Sequence, residues 1–150
     1  MQQFDRDLML LLHDVARLLR TRFDQRARAR GMTRAQWVIL LRLNAQPGLS
    51  QIEMASLLEV EPISVGRLID RLEARGLVER RPDPSDRRVW RLHLLPSAQP
   101  ILDEISRTRE VLGAELFDGV DATARATMID ALLRMKNNLT AEPAPIAVGE

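Results

Sequence analysis

Leu8, Leu11, Leu12, Val15, Leu18, Leu19 and Phe23 recur three and four residues apart, the spacing that gathers apolar side chains on one face of a helix. This predicts one long helix over residues 5–30, with Gly31 just past its end, where glycine tolerates a positive φ. A helix of that length near one end of a small chain cannot bury its whole stripe within one domain, so the stripe points to a second copy of the chain. Thr33 caps a second helix running to about Arg42, with Trp37, Val38, Leu40, Leu41 and Leu43 inside it, and Gln46-Pro47-Gly48 breaks it. Ser50 opens a third helix and forms a capping box with Glu53. Its apolar set is Ile52, Met54, Ala55, Leu57 and Leu58. A turn around Glu59-Val60-Glu61 leads to a fourth helix, with Pro62 in its first turn, where a missing N–H forfeits no bond.

In that fourth helix Val65, Ile69 and Leu72 share one face, while Arg67 points almost directly away and Ser64 and Arg71 flank it. After Gly76 the period changes. Leu77 to Arg81 reads as a strand, and Trp90, Leu92 and Leu94 alternate with Arg91 and His93. Between the strands, Pro82-Asp83-Pro84-Ser85-Asp86 is turn chemistry, and Arg87 and Arg88 sit at the tip. Two short helices joined by a three- or four-residue turn form a helix-turn-helix, whose second helix enters the DNA major groove. Pro96 and Ser97 start a fifth helix carrying Ile101, Leu102, Ile105, Leu112 and Leu116, and Asp118-Gly119 interrupts it. Asp121 caps a sixth, with Met128, Ile129, Leu132, Met135 and Leu139 as its stripe, and the tail 141–150 is expected to be disordered.

Composition narrows the chemistry. Apolar residues make up 45% of the 150 residues, enough to build a core. There are no cysteines, which removes disulfides, thiolate metal sites and cysteine nucleophiles together. His13 and His93 stand in no metal-ligand spacing, and no Gly-rich phosphate loop or nucleophile elbow is present, so neither an enzyme nor a bound metal or other cofactor is expected. No apolar run approaches a membrane span and the N-terminus lacks a signal pattern, so a cytoplasmic protein without a membrane partner is expected. The net charge of +1 selects no partner, but residues 1–100 carry 17 basic and 12 acidic side chains, against 5 and 9 in the remainder. The basic excess thus shares its part of the chain with the hairpin, and every basic residue of the chain except Lys136 is arginine, which suits phosphates and guanine edges.

The segment LSQIEMASLLEVEPISVGRLIDRLEARGLVER, the loop DPSDRR and the strand VWRLHLL together resemble the MarR family of bacterial transcriptional regulators, most closely its SlyA branch, over roughly residues 5–139. The resemblance implies a mainly α fold with a small β-hairpin: a winged helix-turn-helix over 33–96, embedded in dimerisation helices at 5–32 and 97–140. It implies that Arg88 of the wing enters the minor groove, oriented by Asp86, and that Ser64 and Arg67 contact bases or phosphates. Arg71 is expected to join them, and Arg87 and Arg91 to meet phosphates, which fix register without reading sequence. It also implies a pocket for aromatic carboxylates between the dimerisation and DNA-binding regions, with Trp37 and Arg17 in its lining. Two departures stand out. Glu59 replaces the usual glycine of the helix-turn-helix turn, and Leu95 and Gln99 replace the Leu-Thr ending and following glycine after the second strand.

The expected function is sequence-specific binding of double-stranded DNA as a homodimer on a pseudo-palindromic operator, repressing a promoter until a small aromatic or phenolic anion binds. Two alternatives stand beside it: a constitutive activator or anti-silencer of the same fold without a ligand, and a helical protein-interaction dimer that does not bind DNA.

Overall fold

The computed structural model describes residues 6–141. The start of the first expected helix at residue 5, and nearly all of the expected tail, lie outside the described residues. The elements run α1 (Leu8–Ala29), α2 (Arg34–Ala45), α3 (Gln51–Leu58), α4 (Pro62–Ala74), β1 (Val78–Pro82), β2 (Trp90–Leu94), a 3-10 turn (Pro96–Ala98), α5 (Gln99–Leu116) and α6 (Ala122–Thr140). This is a mainly helical fold with one small hairpin.

Local chemistry explains most boundaries. Asp7 caps α1 by accepting from the N–H groups of Met9 and Leu10. At the other end Gly31 has φ +68°, and Met32 and Gly31 return their N–H groups to the Ala27 and Arg28 carbonyls. That left-handed closure is cheap for glycine because it has no Cβ. Gly76 (φ +70°) ends α4 in the same way, with Leu77 donating to the Leu72 carbonyl. Leu77 is therefore spent on the helix terminus, and β1 begins one residue later than the alternation predicts. Capping boxes open α2 (Thr33 with Gln36) and α3 (Ser50 with Glu53). The turn after α3 closes through Glu59 at φ +55°, the one non-glycine residue with positive φ among those described.

The chain divides into two compact units, Met1–Leu112 and Gly113–Glu150. The first has a single core of Trp37, Ile39, Leu40, Leu43, Met54, Val65, Ile69, Leu72, Val78 and Leu92, joined by Ala27 from α1 and by Leu102 and Ile105 from α5. Residues on both sides of the expected domain edges at 32/33 and 96/97 thus enter one core. The hairpin is antiparallel, with Val78 opposite Leu94 and Pro82 opposite Trp90. Residues 48–50 add a short third edge: Leu92 donates to the Leu49 carbonyl and Gly48 to the Leu92 carbonyl. Leu92 is fully buried, but Trp90, at the loop end of the hairpin, is 47% exposed, so the expected apolar side of β2 covers only its inner half.

In the second unit Asp121 caps α6 through the Ala124 N–H, and the Arg125 guanidinium lies 5.2 Å from the centre of the Phe117 ring. α6 buries none of its residues, and Met128, Ile129, Leu132, Leu133 and Leu139 all stand exposed. Leu8, Leu11, Leu12, Val15 and Leu18 of α1 are exposed likewise, although a helix with such a stripe ordinarily buries it.

Candidate nucleic-acid interface and cavity

Helix α4 sets its Val65, Ile69 and Leu72 face into the core, leaving Ser64, Arg67 and Arg71 exposed on the opposite side as predicted. Neither Arg67 nor Arg71 has an ion-pair partner among the described residues, so both guanidinium groups are open to an incoming anion. The helix is held in place by a residue that sequence reasoning missed. Arg80 lies on the inner side of β1, in phase with buried Val78, and its side chain is only 19% exposed. Its Nε donates to Gln51 Oε1 (3.2 Å) and its Nη2 to the Gly66 carbonyl (3.1 Å). Its Nη1 reaches Glu73 Oε2 (2.7 Å) and Asp70 Oδ1 (2.8 Å), while its own N–H donates to Glu73 Oε1. One guanidinium therefore ties α3, α4 and β1 together. The available signal was an arginine at an inward strand position, a place that requires charge partners.

The wing loop is built around two carboxylates. Asp83 Oδ1 accepts from the Ser85 and Asp86 N–H groups and from the Ser85 hydroxyl, and Oδ2 accepts from Arg91 Nε at 2.8 Å. The Ser85 hydroxyl first, then the Arg91 guanidinium, hold the Asp83 carboxyl well below the usual carboxylate range. Asp86 receives Arg88 as a fork, Nε to Oδ1 and Nη2 to Oδ2, both at 3.1 Å, and accepts the Arg88 N–H as well. The same fork lowers the Asp86 pKa. Arg88 remains 90% exposed, so Asp86 fixes the direction of the guanidinium while three of its five N–H donors stay available. Arg87 is exposed beside it.

Arg91 is placed differently from its neighbours. Besides Asp83, its Nη1 donates to the Gly48 carbonyl and to Glu53 Oε2, both at 3.3 Å. It pins the wing to the start of α3, and a phosphate would have to compete with these acceptors.

A separate cavity of about 560 Å³ opens between α1, α2 and α5. Leu19, Phe23, Trp37, Val38 and Leu41 give it apolar walls, and Arg20, Arg34, Arg42 and Arg109 complete its lining, Arg34 with its Nε on Asp24 Oδ1 at 3.0 Å. Trp37 is 1% exposed, and its indole Nε1–H has no hydrogen-bond partner among the described residues. Leaving such a donor unsatisfied costs about 1–3 kcal/mol. The structure brings Trp37 to this cavity but not Arg17, which is exposed and pairs with Asp14 on its own helix at 3.4 Å. Ala16, Leu19, Arg20 and Phe23 share the face of α1 turned toward α2, and Arg17 lies one residue off it. Arg20, and not Arg17, is the α1 arginine on the cavity lining.

A helix-turn-helix with a β-hairpin wing and an outward polar face on its second helix defines a winged-helix transcriptional regulator. Residues 32–90 match the model of the MarR family. The structure is similar to that of transcriptional regulator PA3341, with 30% identity, a TM-score of 0.79, and 89% of this chain and 98% of that one covered. It is also similar to the transcriptional regulator SlyA (25%, 0.77, 89% and 94%) and to wild-type apo MarR from E. coli (25%, 0.75, 86% and 96%). The chain belongs to the MarR family, whose members are transcription regulators and not enzymes.

Proposed function

We propose that this protein binds double-stranded DNA sequence-specifically as a homodimer, represses transcription from that site, and is released by a small aromatic or phenolic anion. The observation that carries the reading is the pairing of two exposed cationic features on one frame. These are the Ser64, Arg67 and Arg71 face of α4 and the Asp86-anchored Arg88 of the wing. The first suits a major groove, where arginine pairs bidentately with guanine; the second suits a narrow minor groove, where negative potential is focused. Arg87 is assigned to phosphate, and Arg91 to holding the wing.

The exposed apolar faces of α1 and α6 support association with a second copy, which would set two recognition helices roughly 34 Å apart on a pseudo-palindromic site. The apolar cavity with arginines on its lining supports an anionic aromatic effector, and this favours a ligand-released repressor over a constitutive regulator. Such a regulator works where the chromosome is, in the cytoplasm.

The test is fluorescence-anisotropy binding to a duplex selected from random sequence. Loss of one bidentate guanine contact costs about 1–3 kcal/mol, so Arg67→Ala should weaken binding by roughly 5- to 150-fold per half-site, and the two half-sites compound. The Arg67→Ala/Arg88→Ala double variant should lose nearly all sequence preference. Equal binding by the double variant and the wild type refutes the assignment, and an absence of any specific shift favours a protein-interaction role.

A further inference from the structure

Ile63 is the second residue of α4 and is 67% exposed. At 100° per residue it lies about 150° round the helix from the middle of the Val65, Ile69 and Leu72 stripe, so it faces outward nearly as directly as Arg67, one turn further on. Pro62 before it fixes the first turn of the helix, which holds Ile63 and Arg67 in one frame. The other outward positions are Ser64, Asp70, Arg71 and the small Ala74, and Asp70 is engaged by Arg80. A single exposed apolar residue is ordinary on a surface. Here, however, it stands at the leading end of the helix proposed to enter the major groove, beside two candidate base-contacting groups. Isoleucine is a poor choice for a solvated helix start, because its branched chain has little rotamer freedom there and hydrogen-bonds nothing.

Resting on that reading, we propose that Ile63 is a specificity-determining residue that selects thymine. Its branched chain packs on the C5-methyl group of a T·A pair in the major groove, within about two base pairs of the base met by Arg67, since four helical residues span roughly 6 Å. A cytosine at that position would present an N4 amino donor to an isoleucine that cannot accept from it, so the contact discriminates by loss as well as by gain.

The experiment uses the full-length protein and a duplex selected by the wild type from random sequence. Each thymine is replaced in turn by deoxyuracil in both half-sites, a change that removes the methyl group alone. For the wild type, one position should cost about four-fold in affinity per half-site, the effect of one buried methyl-sized group, with the other thymines indifferent. Ile63→Ala, with its thermal melt matched to wild type, should bind the thymine duplex more weakly and be insensitive to deoxyuracil at that one position. If no thymine-to-deoxyuracil exchange affects the wild type, or Ile63→Ala keeps full sensitivity, the proposal is overturned while the DNA-binding reading survives. A protein that selects no duplex at all overturns both.

Discussion

Truncating Arg80 to alanine deletes four side-chain contacts: to Gln51 Oε1, the Gly66 carbonyl, Glu73 Oε2 and Asp70 Oδ1. Their weights differ. The Asp70 side chain is 66% exposed and rehydrates freely, so its ion pair contributes little. Glu73 is 34% exposed, and the Gln51 and Gly66 acceptors are partly buried with it, so their charge-assisted bonds are sheltered but not dry. Taking such bonds at about 1.5–3 kcal/mol when shielded and discounting for solvent, Arg80→Ala should lose roughly 2–3 kcal/mol. For a chain of this size that lowers the melting midpoint by about 6–12 °C. Arg80→Lys restores one charge without the fork and should recover only part of the loss. The assay is thermal melting by far-UV circular dichroism at one fixed protein concentration, because self-association makes the midpoint concentration-dependent. A midpoint for Arg80→Ala within about 2 °C of wild type, or full rescue by lysine, would refute the claim that a single guanidinium holds α4 against α3 and β1.

Three further outcomes follow from the same geometry. Glu59 adopts φ +55°, so Glu59→Gly should relieve left-handed strain and, after glycine's entropic cost, stabilise the protein by roughly 0.5–1 kcal/mol in a denaturant titration; destabilisation would contradict it. The folded Asp83 carboxyl sits below its ordinary value of 3.8, so as pH falls the unfolded chain takes up this proton first. The stability Asp83 supplies is therefore complete above that value and fades below it. The gap between wild type and Asp83→Asn in melting midpoint should shrink from about pH 5 to about pH 3, and a constant gap would count against the wing network. Leu132→Glu places a charge in the exposed stripe of α6 and should shift the protein toward monomer in size-exclusion light scattering, whereas an unchanged mass would remove that stripe from the interface.

The sequence by itself determined the features whose physics is confined to a turn or two of chain. The Ser50–Glu53 capping box, the glycines past α1 and α4, the proline opening α4 and the Val65, Ile69 and Leu72 stripe are all visible as residue types at fixed spacings. So is the wing loop, where Asp86 and Arg88 are two residues apart. Only the tertiary structure decided which charges meet across the fold. Arg80 finds partners 7 to 29 residues away, and Arg91, paired with Asp83, also reaches Glu53 across 38 residues. Arg20 rather than Arg17 lines the cavity because the azimuth of α1 is set by its packing on α2. Trp90 is exposed because the hairpin outruns the core at its loop end. Periodicity gives the face of a helix or strand, but the neighbour that face will meet depends on how several elements dock, and a one-dimensional spacing carries no record of that.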